Sequence, residues 1–303
     1  MAGKLRTGRA IAYLMIGAAV LAGCNYWGSD TDSNSFVQSG QSESFYIGGL
    51  GYFVNGSSSD CGDLGAFSGA DALSAGAKNT FAYWTLEGNL VSPLTALGYG
   101  PYVWGYTQGE DAVQCWLNAN HTYGDVNGIT IFADVELDNL GWETPQDPNY
   151  ITNNAEVIQG FLDYISASQG VSPGLYEGIN TYDAFTPSFM WSSLNDPALP
   201  FVWWLTSPAS CGGITEYSSP QPSSTVANAF SNIQSLNNSG QCTNGGYSVS
   251  LWQYQVPPLG ATTGADLDVT TQDVDTQTTT KTIAENGSTS LTVTGDYWDT
   301  GSP

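Results

Sequence analysis

The sequence predicts an α/β fold, a (β/α)8 TIM-type barrel in modified or incomplete form, closed by a short C-terminal β-hairpin or tail. Three observations carry this. Short β-prone runs alternate with helical or polar segments over roughly residues 45–270, the order a barrel of this type needs. Several of those runs are continuously apolar rather than alternating, as strands covered on both faces are. Hydrophobic residues make up 41% of the 303, which supplies a real core and excludes disorder. The Gly and Thr content leaves an all-β sandwich as the alternative.

Taken in chain order, residues 1–23 have the form of an export signal. Lys4, Arg6 and Arg9 precede an apolar run over 11–23, too short to span a bilayer comfortably. The run ends in Leu21-Ala22-Gly23-Cys24, which is similar to a bacterial lipobox, with Cys24 as the lipidated residue after cleavage. The alternative is an ordinary secretory peptide that happens to carry a Cys. Residues 24–44 are rich in Ser, Asp, Asn and Gly and are expected to form a flexible tether, reaching roughly 25 Å. The expected location is extracytoplasmic, anchored in a membrane through Cys24 or secreted.

Residues 45–270 form the expected barrel domain. Strands are expected at 44–47, 80–85, 101–106, 129–136, 173–177, 201–205 and 249–254. Helices are expected at 111–119, 153–168 and 224–236. The helix at 153–168 is the best marked: Asn153 and Glu156 suit an N-cap pair, and Val157, Ile158, Phe161, Leu162 and Ile165 share one face. In the Thr-rich stretch 271–303, Asn286-Gly287 between two β-prone runs signals a hairpin.

Apart from Cys24, four cysteines remain, an even number in an oxidising compartment. The favoured pairing joins Cys211 to Cys242, which flank one Ser/Asn/Gly-rich stretch, and so leaves Cys61 for Cys115. Zinc is a weak alternative, because no Cys-x-x-Cys occurs and His121 is the one histidine. His121 is expected in a loop. No Gly-x-Ser-x-Gly turn accompanies it, which argues against a serine hydrolase, and no metal or cofactor is expected.

Charge narrows the field further. Five Lys+Arg face 28 Asp+Glu, a net charge of −23, and three of those cations lie in the export segment, so its removal leaves −26. The mature chain has no Arg for a phosphate clamp, and its two lysines cannot neutralise a nucleic-acid backbone. A surface of Ser, Thr, Asn, Gly and aromatics suits an uncharged glycan better than a polyanion, which the net charge would repel.

The segment 128–136 carries the clearest chemistry. On a strand Thr130, Phe132, Asp134 and Glu136 share one face, and Ile129, Ile131, Ala133 and Val135 share the other. The aliphatic set would meet covering helices, which leaves Asp134 and Glu136 facing inward at the strand's C-terminal end, where barrel enzymes place their chemistry. Their Cα atoms would stand about 6.6 Å apart by strand rise. Repulsion and burial would keep one of the two protonated as an acid, the minimal pair for cleaving a glycosidic bond. The bland alternative is a strand end with two solvated acids.

Further on stand Gly174-Leu-Tyr176, Trp203-Trp204, Trp252-Gln253-Tyr254 and Asp266-Leu-Asp268. With Asp134-x-Glu136, their order resembles glycoside hydrolase family 25, the lysozymes (N-acetylmuramidases) with a modified (β/α) barrel. It also resembles the related glycoside-hydrolase-like domain of unknown function 1906, which Phe45-Tyr-Ile-Gly-Gly49 fits better. The resemblance covers residues 45–270. It implies Glu136 as general acid, Asp134 as stabiliser of the developing oxocarbenium charge or as orienter of a substrate acetamido group, and Asp266 as the acid of the final strand. It also implies Tyr176, Trp203, Trp252 and Asp268 as substrate-binding residues. The lysozyme family opens on a first-strand Gly-x-Asp whose Asp joins the catalytic cluster. No counterpart is expected before Phe45, since Asp30 and Asp32 sit in the tether and Glu43 in a polar run. Two functions follow: a surface-anchored hydrolase of a polysaccharide, peptidoglycan by resemblance, or a glycan-binding or structural lipoprotein on the same barrel that cleaves nothing.

Overall fold

The computed structural model describes residues 26–31, 45–53, 59–61, 79–123, 130–135, 140–144, 146–168, 171–177, 202–206, 224–238, 249–255, 266–270, 278–285 and 289–296. The export segment, Cys24, Glu136, Cys211 and Cys242 lie outside them. No helix among the described residues is long and apolar enough to cross a membrane.

The fold is mixed α/β. Strands β1 (Tyr26–Thr31), β2 (Phe45–Phe53), β3 (Ser59–Asp60), β4 (Asn79–Thr85), β5 (Thr130–Val135), β6 (Ser172–Glu177), β7 (Val202–Thr206), β8 (Val249–Gln255) and β9 (Asp266–Thr270) build one sheet in the order β1-β9-β8-β7-β6-β5-β4-β2-β3. β1 also pairs with β2, so eight strands return on themselves as a ring, with β3 attached at the far end of β2. Around the ring β1, β2, β4, β5, β6, β7 and β8 pair in parallel, while β9 runs antiparallel to both β8 and β1 and the short β3 antiparallel to β2. A TIM-type barrel is all parallel; this ring departs from it at β9.

Two expectations are corrected here. The stretch 24–44 is not all tether: Tyr26–Thr31 pairs with β2 and β9 and supplies the strand that completes the ring. The stretch 101–106 is not a strand but the start of helix α1 (Pro101–Tyr123). Pro101 at the first helical position and buried Trp104, Gln108, Ala112, Cys115 and Trp116 give a helical repeat that a short apolar window conceals. His121 therefore lies in the last turn of α1, not in a loop.

Helix α2 (Tyr150–Ala167) begins three residues before its expected start. Asn149 holds the N-cap position without a side-chain cap bond, and Asn153 instead donates to both carboxylate oxygens of Glu143, each at 2.8 Å. α1 packs on α2 at very short range through Gly105, Gly109 and Gly160. Helix α3 (Ser224–Asn238) buries Val226, Ala229, Phe230 and Ile233, one face at helical spacing. Beyond the ring, β10 (Thr278–Glu285) and β11 (Thr289–Asp296) form the antiparallel hairpin signalled by Asn286-Gly287. Cys61 and Cys115 form a disulfide that ties the chain after β3 to α1.

Strand alternation sorts the core into two layers. Ala82 and Trp84 of β4, Ile131, Ala133 and Val135 of β5, Leu175 of β6 and Trp252 of β8 pack with the helices. Phe45, Ile47, Phe81, Phe132, Tyr176, Trp204 and Leu251 pack with one another inside the ring. A register shift between Gly49 and Gly51 flips β2, so that Phe45 and Ile47 face inward while Phe53 meets Trp84 and Trp104 on the helix side. Gly174 has no side chain because the Phe132 ring fills that space: a Cβ there would stand 2.4 Å from its Cδ1.

Candidate active site

Inside this apolar enclosure four strands each bring one polar side chain, near the C-terminal ends of the parallel run. These are Asp30 on β1, Asp134 on β5, Tyr176 on β6 and Gln253 on β8, each less than 9% exposed. Burying such groups costs free energy unless they are hydrogen-bonded, and here they are. The Tyr176 hydroxyl donates to Gln253 Oε1 at 2.9 Å, and Gln253 Nε2 donates to Asp30 Oδ1 at 3.1 Å. Asp134 is the backbone partner of Tyr176 across β5 and β6, and its Oδ2 accepts from the Thr85 hydroxyl at 3.3 Å. The Tyr176 ring lies against Trp204, with centroids 4.4 Å apart, and Trp204 meets Phe132 edge to face. Tyr176 thus joins the apolar floor to the polar rim.

The rim is firmly built. The loops after β4 and β5 run side by side, Gly88 N donating to Leu140 O and Leu90 N to Gly141 O. Gln108 of α1 brackets the backbone of Glu87, accepting from its N–H and donating to its carbonyl, and the Trp104 indole donates to that carbonyl as well. The Glu143 carboxylate is buried, receiving the amides of Asn89 and Asn153, while Asn154 donates to its carbonyl and accepts from its N–H. No group of three or more His, Cys, Asp or Glu suited to hold a metal occurs among the described residues.

Asp134 lies on the inner face of β5, as strand alternation predicts, together with Thr130 and Phe132. Glu136 is the residue immediately after Val135 and lies outside the described residues. Asp266 and Asp268 stand on β9, and the backbone of Asp266 is directly opposite Asp30. Asp268 is opposite both Gly28 and Gln253. Trp203 is the backbone partner of Leu175, and its neighbour Trp204 supplies the ring of the inner cluster. Trp252 is placed elsewhere: it is fully buried on the helix side of β8, stacked on Phe230. An indole packed there belongs to the core between strand and helix, and the inward-facing residue of this pair on β8 is Gln253.

Sequence reasoning missed Asp30, Gln253, Glu87 and Glu143. Asp30 had a signal, since Gly28-Ser-Asp30 has the form Gly-x-Asp and is preceded by the β-prone pair Tyr26-Trp27. Gln253 could be found as the alternate face of Trp252. Glu87 and Glu143 carry no motif.

No protein-family model matches the chain, and no curated protein matches it. Among solved structures, the chain is similar to the Clostridium perfringens spore cortex lytic enzyme SleM, with a TM-score of 0.48 at 14% identity over 86% of this chain and 74% of that one. The modular autolysin LytC of Streptococcus pneumoniae, solved with a synthetic peptidoglycan ligand, gives a TM-score of 0.39 at 15% identity, over 81% of this chain and 46% of that one. The Tat-secreted protein Rv2525c of Mycobacterium tuberculosis, solved with HEPES, gives 0.39 at 10% identity over 80% and 93%.

Proposed function

We propose that the protein is an exported, surface-anchored glycoside hydrolase of the lysozyme type, built on a modified (β/α)8 barrel and acting on the glycan strand of peptidoglycan or a related extracellular polysaccharide. The observation that carries this is the meeting of Asp30, Tyr176 and Gln253, from three strands, in one buried network beside Asp134. Polar groups gathered in an otherwise apolar enclosure are a mark of functional sites. In this reading Asp30 is the opening acid of the lysozyme resemblance, which supports a hydrolase over a non-catalytic barrel.

In this reading Glu136 protonates the leaving glycosidic oxygen. Strand alternation beyond Val135 would give it the same face as Asp134. Asp134, with Thr85 on one oxygen, stabilises the developing positive charge or orients an acetamido group. Asp30 and Asp266 complete the carboxylate set from β1 and β9, and Tyr176 borders the bound sugar. The lipobox-like Cys24 anchors the enzyme outside the cytoplasm.

The test incubates the mature domain with purified peptidoglycan and, separately, with neutral polysaccharides, and measures new reducing ends. The expected result is release by the wild type and its loss in Glu136→Gln. Release that survives Glu136→Gln sinks the acid assignment, and binding without product in the wild type supports the non-catalytic alternative.

A further inference from the structure

We propose that Gln253 is a positioning residue: its amide fixes the Asp30 carboxylate and the Tyr176 hydroxyl as one unit across β1, β8 and β6. The inference rests on the hydrolase reading, and it adds a role for a residue that the resemblance leaves unassigned.

The geometry gives the amide one orientation. Tyr176 has a single proton to donate, and it goes to Gln253 Oε1 at 2.9 Å. The Nε2 end can only donate, and its acceptor is Asp30 Oδ1 at 3.1 Å. Polarity therefore runs in one direction, from phenol through amide to carboxylate, and bonds arranged head to tail strengthen one another in a low-dielectric interior. Gln253 is 2% exposed and held on both sides, so water does not readily substitute for it. β8 is well placed for the task. It lies beside β9, the backbone partner of β1, and Gln253 reaches past β9 to the carboxylate of the strand beyond. Replacing the amide by a shape-matched apolar group keeps the packing but removes the donor that Gln253 gives Asp30 and the acceptor that it gives Tyr176. Replacing it by a carboxylate sets two acids against each other.

A double-mutant cycle on turnover tests this, using Gln253→Met, Asp30→Asn and the two combined, with melting temperature measured alongside. Losing one charge-assisted hydrogen bond of this kind is expected to lower turnover about 10- to 100-fold. In the Asp30→Asn background, Gln253→Met should cost little more, because Gln253 acts through Asp30. Losses that multiply overturn the proposal. A second variant, Asp30→Asn with Gln253→Glu, restores an amide-to-carboxylate bond with its polarity reversed. It should recover melting temperature but not turnover; recovery of both would make the contact structural and overturn the proposal. If the wild type binds glycan without cleaving it, the hydrolase reading falls, and the same cycle on glycan affinity decides this proposal by the same criterion. A wild type that neither cleaves nor binds overturns both.

Discussion

The indole of Trp252 stacks on the ring of Phe230 at 6.2 Å, on the helix side of β8, while its neighbour Gln253 faces the ring interior. This contact ties α3 to the sheet. Trp252→Ala should cost about 3–5 kcal/mol, typical for deleting a buried aromatic. In a chain of this size that lowers the melting temperature by roughly 10 °C. Calorimetry checks this, and the folded fraction should keep its glycan affinity. Normal stability with lost affinity would return Trp252 to the binding site.

The α1–α2 contact is set by glycines. A Cβ on Gly105 would stand 1.8 Å from the carbonyl oxygen of Val157, and one on Gly160 would stand 2.1 Å from that of Tyr102. Both obstacles are backbone and cannot rotate away, so the helices must separate. Gly105→Ala and Gly160→Ala should each cost at least the 1–3 kcal/mol typical of overpacking, about what one buried methylene forces on a tight core. Urea unfolding measures the loss, and an unchanged midpoint would mean that the helices are not in this register.

Tyr102 gives a signature at alkaline pH. Burial first, then the hydrogen bond it donates to Asp163 at 2.9 Å, then the charge of Asp163 and its neighbour Tyr106, push its pKa up to about 12. A raised phenol holds its proton more tightly in the folded chain than in the unfolded one, where tyrosine titrates near about 10. The contact's contribution is therefore intact below about pH 10 and is lost as pH rises from there toward 12. Tyr102→Phe should flatten that part of the stability profile relative to wild type, which subtracts the similarly raised Tyr164 common to both. Identical slopes in the two proteins would refute the coupling.

The disulfide closes a long loop. Cys61 and Cys115 are 54 residues apart, and the loop-entropy relation gives about 4 kcal/mol for a closure of that length. Cys61→Ala combined with Cys115→Ala should lose a large part of this in chemical denaturation. A loss well under 1 kcal/mol would mean that the unfolded chain already holds these segments together.

What the sequence made legible follows from locality. β5 could be read with its two faces assigned, because Ile131, Ala133 and Val135 alternate with Phe132 and Asp134 over consecutive residues. α2 was legible because its apolar residues repeat at helical spacing. β1 was harder to read, because Gly28, Ser29 and Asp30 interrupt the β-prone Tyr26, Trp27 and Thr31; β2 and β9 offer that stretch edges to pair with. The same limit hid the site's internal wiring. Asp30 and Gln253 are 223 residues apart, and no local pattern records that a ring closure brings them together. The choice between Trp252 and Gln253 needed only the strand's inward parity, which the Trp-Gln-Tyr motif by itself does not give.

The last prediction sets stability against activity. Asp134 and Asp30 are buried carboxylates in an enclosure lined largely by aromatic and aliphatic side chains. Desolvating them costs free energy that hydrogen bonds, among them those from Thr85 and Gln253, have to offset. Asparagine keeps the shape and an acceptor oxygen while removing the charge. Asp134→Asn should therefore leave the melting temperature unchanged or raise it, as substitutions at functional sites often do. On the proposed hydrolase reading the same change removes the negative charge that would face a cationic transition state, and turnover should fall about 10²- to 10³-fold. Reducing-end release and calorimetry on one preparation give both numbers. A variant that loses stability while keeping its activity per folded molecule would make Asp134 a structural acid, and the carboxylates would then have to be reassigned.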